Sequence, residues 1–195
     1  MKYVIGLGNP IDENYSGTRH NIGFDVLFHM VPQDQFEYDK YASSLRAKTT
    51  ISGEEVEILL PQLYMNNSGA VILSVEGLTD AFLEGDVLVV HDQIDIPFGS
   101  MKICHGSSDG GHNGVRSIIK KIGHHNFARL RIGVAPLVDG VMRKPGGGGA
   151  TASFVLKKFT PEEQKALEEV LLDKAALAVK SWVKDGVEKT ANVIN

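Results

Sequence analysis

The segment Asp86-Val-Leu-Val-Val-His91 limits the possible folds more than any other part of the chain. Its unbroken Val and Leu content is typical of a strand that is buried on both faces of a sheet. Further strand-like runs at residues 3–7, 44–51, 54–60 and 130–135 alternate with segments of helical periodicity. This alternation predicts an α/β fold, with a single twisted, mixed but mostly parallel β-sheet that is flanked by helices.

Apolar residues at intervals of three or four predict four helices. The first covers residues 22–30, and the third covers residues 115–122, after a glycine-rich stretch. Ser68 is expected to cap the second helix, which ends near Gly77, and Pro161 to open the last and longest one. The residues expected to share one side are Val71, Ile72 and Val75 on the second helix and Leu167, Val170, Leu171 and Leu177 on the last.

A length of 195 residues suits one domain with one sizeable core, so residues 1–195 are predicted to form a single domain. Residues 146–149 are all glycine. We interpret them as part of a flexible loop and not as a linker, because too little chain follows to bury a second core.

The charge distribution distinguishes two ways in which a protein can bind nucleic acid. The chain has 20 basic and 24 acidic residues, which excludes a protein that coats nucleic acid through bulk positive charge. Between Gly110 and Val138, however, no residue is acidic and five are basic. They are Arg116, Lys120, Lys121, Arg129 and Arg131. A locally basic face on a net-acidic protein predicts contact with phosphates.

Cysteine content and hydropathy bear on the compartment. The only cysteine, Cys104, cannot form an internal disulfide, and no Cys/His set has zinc spacing. No apolar run approaches the ~18 residues that a membrane span needs. The first predicted strand begins at Lys2, which leaves no room for a signal peptide. We therefore expect a cytosolic protein.

Polar residues gather where apolar runs end, which is where α/β sheets place ligand sites. Asp92 follows the most apolar strand, so its carboxylate needs a hydrogen-bonded partner. It either caps the following turn or orients a histidine, while Asp95, beside Pro97, suits a structural turn. Among the seven histidines, His20 and His112 each adjoin an asparagine in a polar turn. Spacing alone does not decide between these two as a general base.

Three asparagines, Asn9, Asn66 and Asn113, lie at predicted element boundaries. Asparagine is common in turns and helix caps. Three side-chain amides can also bind a peptide or ester carbonyl of a substrate without adding charge to the site. Neither Cys104 nor any serine lies in a nucleophile motif, and no P-loop or dinucleotide fingerprint occurs. A hydrolase built from these residues would use an activated water.

Six runs together closely resemble bacterial-type peptidyl-tRNA hydrolases, in the order and with the spacing of that family. They are Val4-Ile-Gly-Leu-Gly-Asn-Pro10, Tyr15-Ser-Gly-Thr-Arg-His-Asn21, Tyr64-Met-Asn-Asn-Ser-Gly69, His91-Asp-Gln-Ile-Asp-Ile-Pro97, Gly110-Gly-His-Asn-Gly114 and Arg129-Leu-Arg-Ile-Gly133. The resemblance covers nearly the whole chain and implies cleavage of the ester between a peptide and the 3′-terminal ribose of tRNA. This reaction recycles tRNA from peptides dropped by the ribosome.

The resemblance also assigns roles. His20 matches the catalytic histidine of the family, and Asp92 matches the aspartate that supports it. The positions that match substrate contacts are Asn9, Tyr15, Met65, Asn66, His112 and Asn113. Contact with the phosphates of the acceptor stem and 3′ end of tRNA is expected from Lys102, Arg116, Lys120, Arg129 and Arg131. A monomer without metal, cofactor or membrane partner is implied.

The chain departs from the family pattern at two places. Ile103 and Cys104 follow Lys102 where a second basic residue is common, and Ile11 replaces a glycine. Residues 146–149 are hypothesised to form a lid over the cleft. Two alternatives stay open: a splicing-type relative that binds RNA without hydrolysis, and a peptidase or nucleoside phosphorylase on a related scaffold. The splicing-type relative needs an exposed hydrophobic surface for its partner. A metal-dependent peptidase needs clustered carboxylates, and a phosphorylase needs free phosphate as a substrate.

Overall fold

The computed structural model describes residues 1–12, 14–146 and 149–194, and nine strands occur among them. The strands are β1 (Lys2–Gly6), β2 (Glu37–Asp39), β3 (Ser44–Ile51), β4 (Glu54–Pro61), β5 (Val87–Pro97), β6 (Met101–His105), β7 (Ala128–Ala135), β8 (Leu137–Val138) and β9 (Val141–Met142). Seven of them form one sheet in the order β2-β3-β4-β1-β5-β7-β6, and β8 and β9 form a separate hairpin.

The central strands are parallel, and the outer ones are antiparallel. β1 pairs in parallel with β4 and β5, and β5 pairs in parallel with β7. β2, β3 and β6 add antiparallel edges. The predicted mixed, mostly parallel sheet is therefore confirmed. So is the hairpin around Ser52-Gly53, where both residues have the positive φ that a two-residue turn needs.

Six α-helices occur in the described residues. They are α1 (Ile22–Met30), α2 (Leu78–Glu84), α3 (Asn113–Ile122), α4 (Ala150–Val155), α5 (Pro161–Ala166) and α6 (Leu172–Ile194), which kinks at Gly186. Three 3₁₀ segments (Arg19–Asn21, Gln33–Gln35 and Met65–Leu73) and one π-helical turn (Leu167–Leu171) complete the helical elements. No helix in this part of the chain is both long and apolar enough to cross a membrane.

Each face of the sheet has its own apolar core. Leu88 and Val90 of β5 face a core that α1 and α6 cover, including Trp182. Val87 and Val89 face the core on the other side, which contains Val115 of α3. The continuous Val/Leu run predicted to be buried on both faces is thus covered on both.

Two predicted helices differ from the observed ones. Ser68 caps no helix: it lies inside the 3₁₀ segment Met65–Leu73, and its hydroxyl donates to the Met65 carbonyl at 2.9 Å. The spacing of the apolar residues in this segment suits an α-helix or a 3₁₀-helix, because the periods of these two helices differ little over one or two turns. Gly77, with a φ of 76°, ends this region, and α2 follows as a helix that was not predicted.

The last helical region is interrupted. Leu167 and Leu171 are buried, whereas Val170 and Leu177, predicted to lie on the same side, are exposed. The π-helical turn Leu167–Leu171 widens the coil, so the apolar stripe does not continue at ordinary helical spacing. The predicted common face for these four side chains is therefore wrong.

Two differences lie at the end of the sheet that holds the candidate site. β5 continues to Pro97, so Asp92 lies within the strand and not after it. The β8–β9 hairpin was not predicted, although Asp139-Gly140 forms its turn. Within the glycine run 146–149, residues 147 and 148 lie outside the described residues.

Candidate active site

A cleft of about 930 Å³ opens at the carboxyl end of the parallel strands β1 and β5. Tight turns bring loops from distant parts of the chain to this edge. All eight residues predicted to act in catalysis or to contact the substrate line the cleft. They are Asn9, Tyr15, His20, Met65, Asn66, Asp92, His112 and Asn113.

Asp92 is the buried centre of the cleft. Its Oδ1 accepts two hydrogen bonds, from His20 Nδ1 at 2.8 Å and from His112 Nε2 at 2.9 Å. Burial by itself would raise the pKa of this carboxyl group, but the two histidines outweigh that effect and hold the pKa well below its usual range. Asp92 is therefore a fixed negative charge at neutral pH.

His20 lies in the 3₁₀ turn Arg19–Asn21 that leads into α1. Its Nδ1–H donates to Asp92, which leaves Nε2 as the basic atom of a ring that lines the cleft. Burial opposes protonation of the ring, but the charge of Asp92 and its hydrogen bond raise the pKa of His20 above the ordinary value. The pair has the geometry of an imidazole base with a carboxylate that stabilises its protonated form.

A separate set of contacts holds this turn in place. The guanidinium of Arg19 is buried and donates to the carbonyls of Lys157 and Lys158 at 3.1 and 2.7 Å. It also pairs with Glu163 and lies 4.3 Å from the centre of the Phe154 ring. The residue before His20 is thus tied to the segment between α4 and α5, a link that nothing in the sequence indicated.

His112 supports two structures at once. Its Nδ1 accepts from the backbone N–H groups of Gly114 and Val115, at 3.1 and 3.3 Å, and so caps the first turn of α3. Nε2–H must then be the donor to Asp92, which defines a neutral tautomer. Burial lowers the pKa of His112, in keeping with a neutral ring. Because both ring nitrogens bind within the protein, the structure places His112 as a support and not as a free hydrogen-bonding group.

His91 is a third histidine at this centre, and no role was predicted for it. Its Nδ1 donates to the Asp92 carbonyl at 2.7 Å, and its ring centre lies 4.7 Å from that of His112. Full burial lowers the pKa of His91 well below the ordinary value. Its one visible signal was its place beside Asp92 in an otherwise apolar strand.

The asparagines present their amides differently. Asn9 Oδ1 accepts from the Met65 N–H at 2.9 Å, and Asn21 forms two hydrogen bonds to the Asn9 backbone. These contacts orient the Asn9 amide so that Nδ2 remains as its donor. Asn113 Oδ1 accepts from Arg116 at 3.3 Å, while Asn66 is exposed on the rim. Asn21 is therefore a residue of the site that sequence spacing did not single out.

The walls of the cleft contain further residues that were not predicted. The Tyr15 ring packs edge-on against Tyr64, with centres 6.2 Å apart. Gln93 is buried, accepts from Arg131 Nε at 3.2 Å and donates to Asp95 at 3.0 Å. Asp95 in turn binds Lys144 at 2.5 Å, so it has ion-pair and hydrogen-bond partners beyond the local turn role predicted for it.

The predicted phosphate-binding residues separate into two groups. Lys102, Arg116 and Lys120 are exposed, and Arg131 is half-buried. Arg129, in contrast, is 1% exposed, and its Nη1 donates to the Ser108 carbonyl at 2.8 Å. The predicted contact of Arg129 with tRNA phosphate is inconsistent with this position, because the segment after β6 covers its side chain.

The nitrogen and oxygen atoms of His20, Asp92 and His112 lie within 4.8 Å of one another, a spacing that a metal ion could bridge. Both histidine nitrogens that face Asp92 carry the protons of the hydrogen bonds described above. A metal ion at this point would have to displace both protons, so the arrangement fits an acid–base pair better than a metal centre.

The chain is similar to known peptidyl-tRNA hydrolases. The family model for peptidyl-tRNA hydrolase matches residues 3–195. The peptidyl-tRNA hydrolase of Desulfitobacterium hafniense (strain Y51) is 37% identical over 197 residues, covering 100% of both chains. That of Syntrophotalea carbinolica is 38% identical over 196 residues, covering 100% of this chain and 97% of the relative.

A solved structure extends the similarity to three dimensions. The crystal structure of peptidyl-tRNA hydrolase from Acinetobacter baumannii superimposes with a TM-score of 0.82 at 32% sequence identity. The match covers 100% of this chain and 94% of that one. On the evidence of sequence, fold and length together, the chain belongs to the peptidyl-tRNA hydrolase family.

Proposed function

We propose that this protein hydrolyses the ester bond of peptidyl-tRNA, releasing a peptide and free tRNA, with His20 as the general base for a water molecule. The observation that carries the proposal is the Asp92 carboxylate, which binds Nδ1 of His20 and leaves Nε2 free to accept a proton. General-base catalysis of this kind contributes about 10²- to 10⁴-fold to a rate.

The reaction follows from these groups. His20 Nε2 takes a proton from the water, and the hydroxide oxygen attacks the ester carbonyl. Asp92 stabilises the imidazolium that forms, and the Nδ2 donors of Asn9 and Asn113 hold the developing oxyanion. The protonated His20 then gives its proton to the ribose oxygen as the ester C–O bond breaks. An ester is easier to hydrolyse than an amide, so these groups suffice without a metal or a covalent intermediate.

Basic side chains near the cleft, three exposed and one half-buried, support a tRNA contact. Lys102 lies directly opposite Arg131 on neighbouring strands, and Arg116 and Lys120 lie on α3. We assign these four to the phosphates of the acceptor stem and 3′ end, where they add affinity without reading sequence. In this proposal the protein acts as a cytoplasmic monomer that returns tRNA from interrupted translation.

The test is release of tRNA from N-acetyl-aminoacyl-tRNA, measured with and without EDTA. The wild type should release tRNA equally in both conditions, and His20→Ala should lower kcat by at least ~10²-fold while tRNA binding persists. His29→Ala is the matched control, since His29 lies on α1 and binds the exposed Asp173.

Three outcomes would contradict the proposal. Near-wild-type release by His20→Ala would remove the assigned base, and loss of release in EDTA would indicate a metal-dependent hydrolase. If the wild type binds tRNA without releasing it from the ester, the protein is a binding relative and not a hydrolase.

A further inference from the structure

The β8–β9 hairpin exposes apolar side chains on both of its faces. Leu137 pairs with Met142, and Val138 pairs with Val141, so each cross-strand pair is apolar. Leu137, Val138 and Val141 are 49%, 51% and 53% exposed. Neighbouring exposed apolar side chains usually mark a contact surface, whereas scattered ones do not.

The fold itself gives this hairpin little support. Among the described residues, neither apolar core includes any of its four apolar side chains. Isolated two-stranded hairpins are marginally stable in water, so contact with a ligand would favour the ordered form. The turn is nevertheless built for a hairpin, because Asp139 and Gly140 have φ values of 52° and 74°.

The hairpin is attached beside the cleft at both ends. β8 follows β7 after one residue, and the last residue of β7, Ala135, accepts a hydrogen bond from Phe98 just beyond β5. On the other side, Lys144 lies two residues after β9 and binds Asp95 at 2.5 Å. Asp95 and its neighbour Ile94 line the cleft, so the hairpin rises from the rim of the same site.

The cleft has further apolar residues in its lining, together with polar ones such as Gln93 and Thr151. Ile94, Ala152, Val155 and Leu156 line it. The phosphates of tRNA are matched instead by the basic side chains of β6, β7 and α3, and the apolar pairs of the hairpin offer them no charge. Of the two halves of the substrate, the peptide is therefore the one that this surface suits.

We propose that the β8–β9 hairpin extends the cleft as a docking surface for apolar side chains of the peptide. The inference rests on the proposed hydrolysis of peptidyl-tRNA and adds a preference within that substrate class. Peptides that are long enough to reach the hairpin and rich in Val or Leu are hydrolysed more efficiently than equally long polar ones.

The experiment compares three substrates made on one tRNA: an N-acetyl-aminoacyl ester, an apolar N-acetyl-hexapeptidyl ester and a polar N-acetyl-hexapeptidyl ester. The variant is Val138→Thr with Val141→Thr, which keeps β-branched residues and the Asp139-Gly140 turn. Replacing a methyl group by a hydroxyl in both residues should lower the ratio of kcat/KM for the apolar hexapeptide to that for the one-residue substrate by about 5-fold. The control is Leu83→Gln, an exposed apolar residue of α2, before the start of β5.

Each outcome decides the question. An unchanged ratio, or the same fall with the polar hexapeptide, would overturn the docking surface even though the enzyme is active. A dimer in sedimentation that the double variant abolishes, with an unchanged ratio, would assign the hairpin to a second copy and also overturn it. Failure of the wild type to cleave the one-residue substrate would instead refute the proposed function itself.

Discussion

Replacement of Asp92 by asparagine isolates the charge of this residue from its geometry. Both histidines contact the same oxygen, Oδ1, at 2.8 and 2.9 Å. An asparagine carbonyl can accept both hydrogen bonds at that position, so the fold and the His20 tautomer should persist. What the variant lacks is the negative charge beside the imidazolium that forms during the reaction.

The magnitude follows from the distance. His20 Nδ1 lies 2.8 Å from Asp92 Oδ1. With charge centres about 4 Å apart and an effective dielectric constant of about 20, the attraction between them is about 4 kcal/mol. Part of it is retained by the neutral hydrogen bond, so a barrier higher by about 3–4 kcal/mol, or a kcat lower by about 10²- to 10³-fold, is expected.

The assay is kcat for tRNA release from pH 5 to pH 8. A base must be neutral to act, and Asp92 raises the pKa of His20, so the wild-type rate should rise with pH through a value above the ordinary one of about 6.5. In Asp92→Asn this rise should move to lower pH while the plateau falls. Asp86→Asn, at the residue just before the start of the same strand, is the control. A plateau within about threefold of the wild type would refute the electrostatic role, since that corresponds to under about 1 kcal/mol.

Three further changes distinguish residues that support the fold from residues that contact the substrate. His112→Ala should remove the cap of α3, lower stability by about 0.5–2 kcal/mol and reduce kcat. Chemical denaturation and kinetics measure both, and a raised KM with unchanged stability would indicate a direct substrate contact instead. Arg131→Ala should raise KM and lower the salt slope of tRNA binding by about one. Arg129→Ala should destabilise the fold through its buried bond to Ser108, and a changed salt slope with unaltered stability would contradict its interior position.

Much of the site was visible in the sequence because its residues interrupt strong local patterns. Asp92 stands in the most apolar strand, and Asn9 stops the first one. Buried polar residues at such points need hydrogen-bonded partners, and parallel strands bring them to one edge. Spacing could not rank His20 above His112, and the structure explains why: both donate to the same carboxylate oxygen. They differ only in what the second nitrogen of each ring does.

Other features depend on packing that no local pattern records. Arg129 and Arg131 lie two residues apart on β7, and the sequence does not distinguish between them. Only Arg129 is covered by the segment that carries Ser108. The exposure of Val170 depends on one π-helical turn. Asn21 and Gln93 belong to the site because of hydrogen bonds to Asn9 and Arg131, which lie on other segments. Their local sequence is that of an ordinary turn and an ordinary strand, so it does not indicate this role.

By itself the sequence determined the kind of fold, the central strand and eight of the residues that line the cleft. The spacing of apolar residues, and the polar residues that interrupt it, are local properties of a segment. They follow from burial of apolar surface, whatever the position of the segment in the fold. Only the tertiary structure decided which nitrogen of each histidine is free, which arginine is buried and where the apolar hairpin stands. Those outcomes depend on strand register and on contacts such as that between His20 and Asp92, which lie 72 residues apart in the chain.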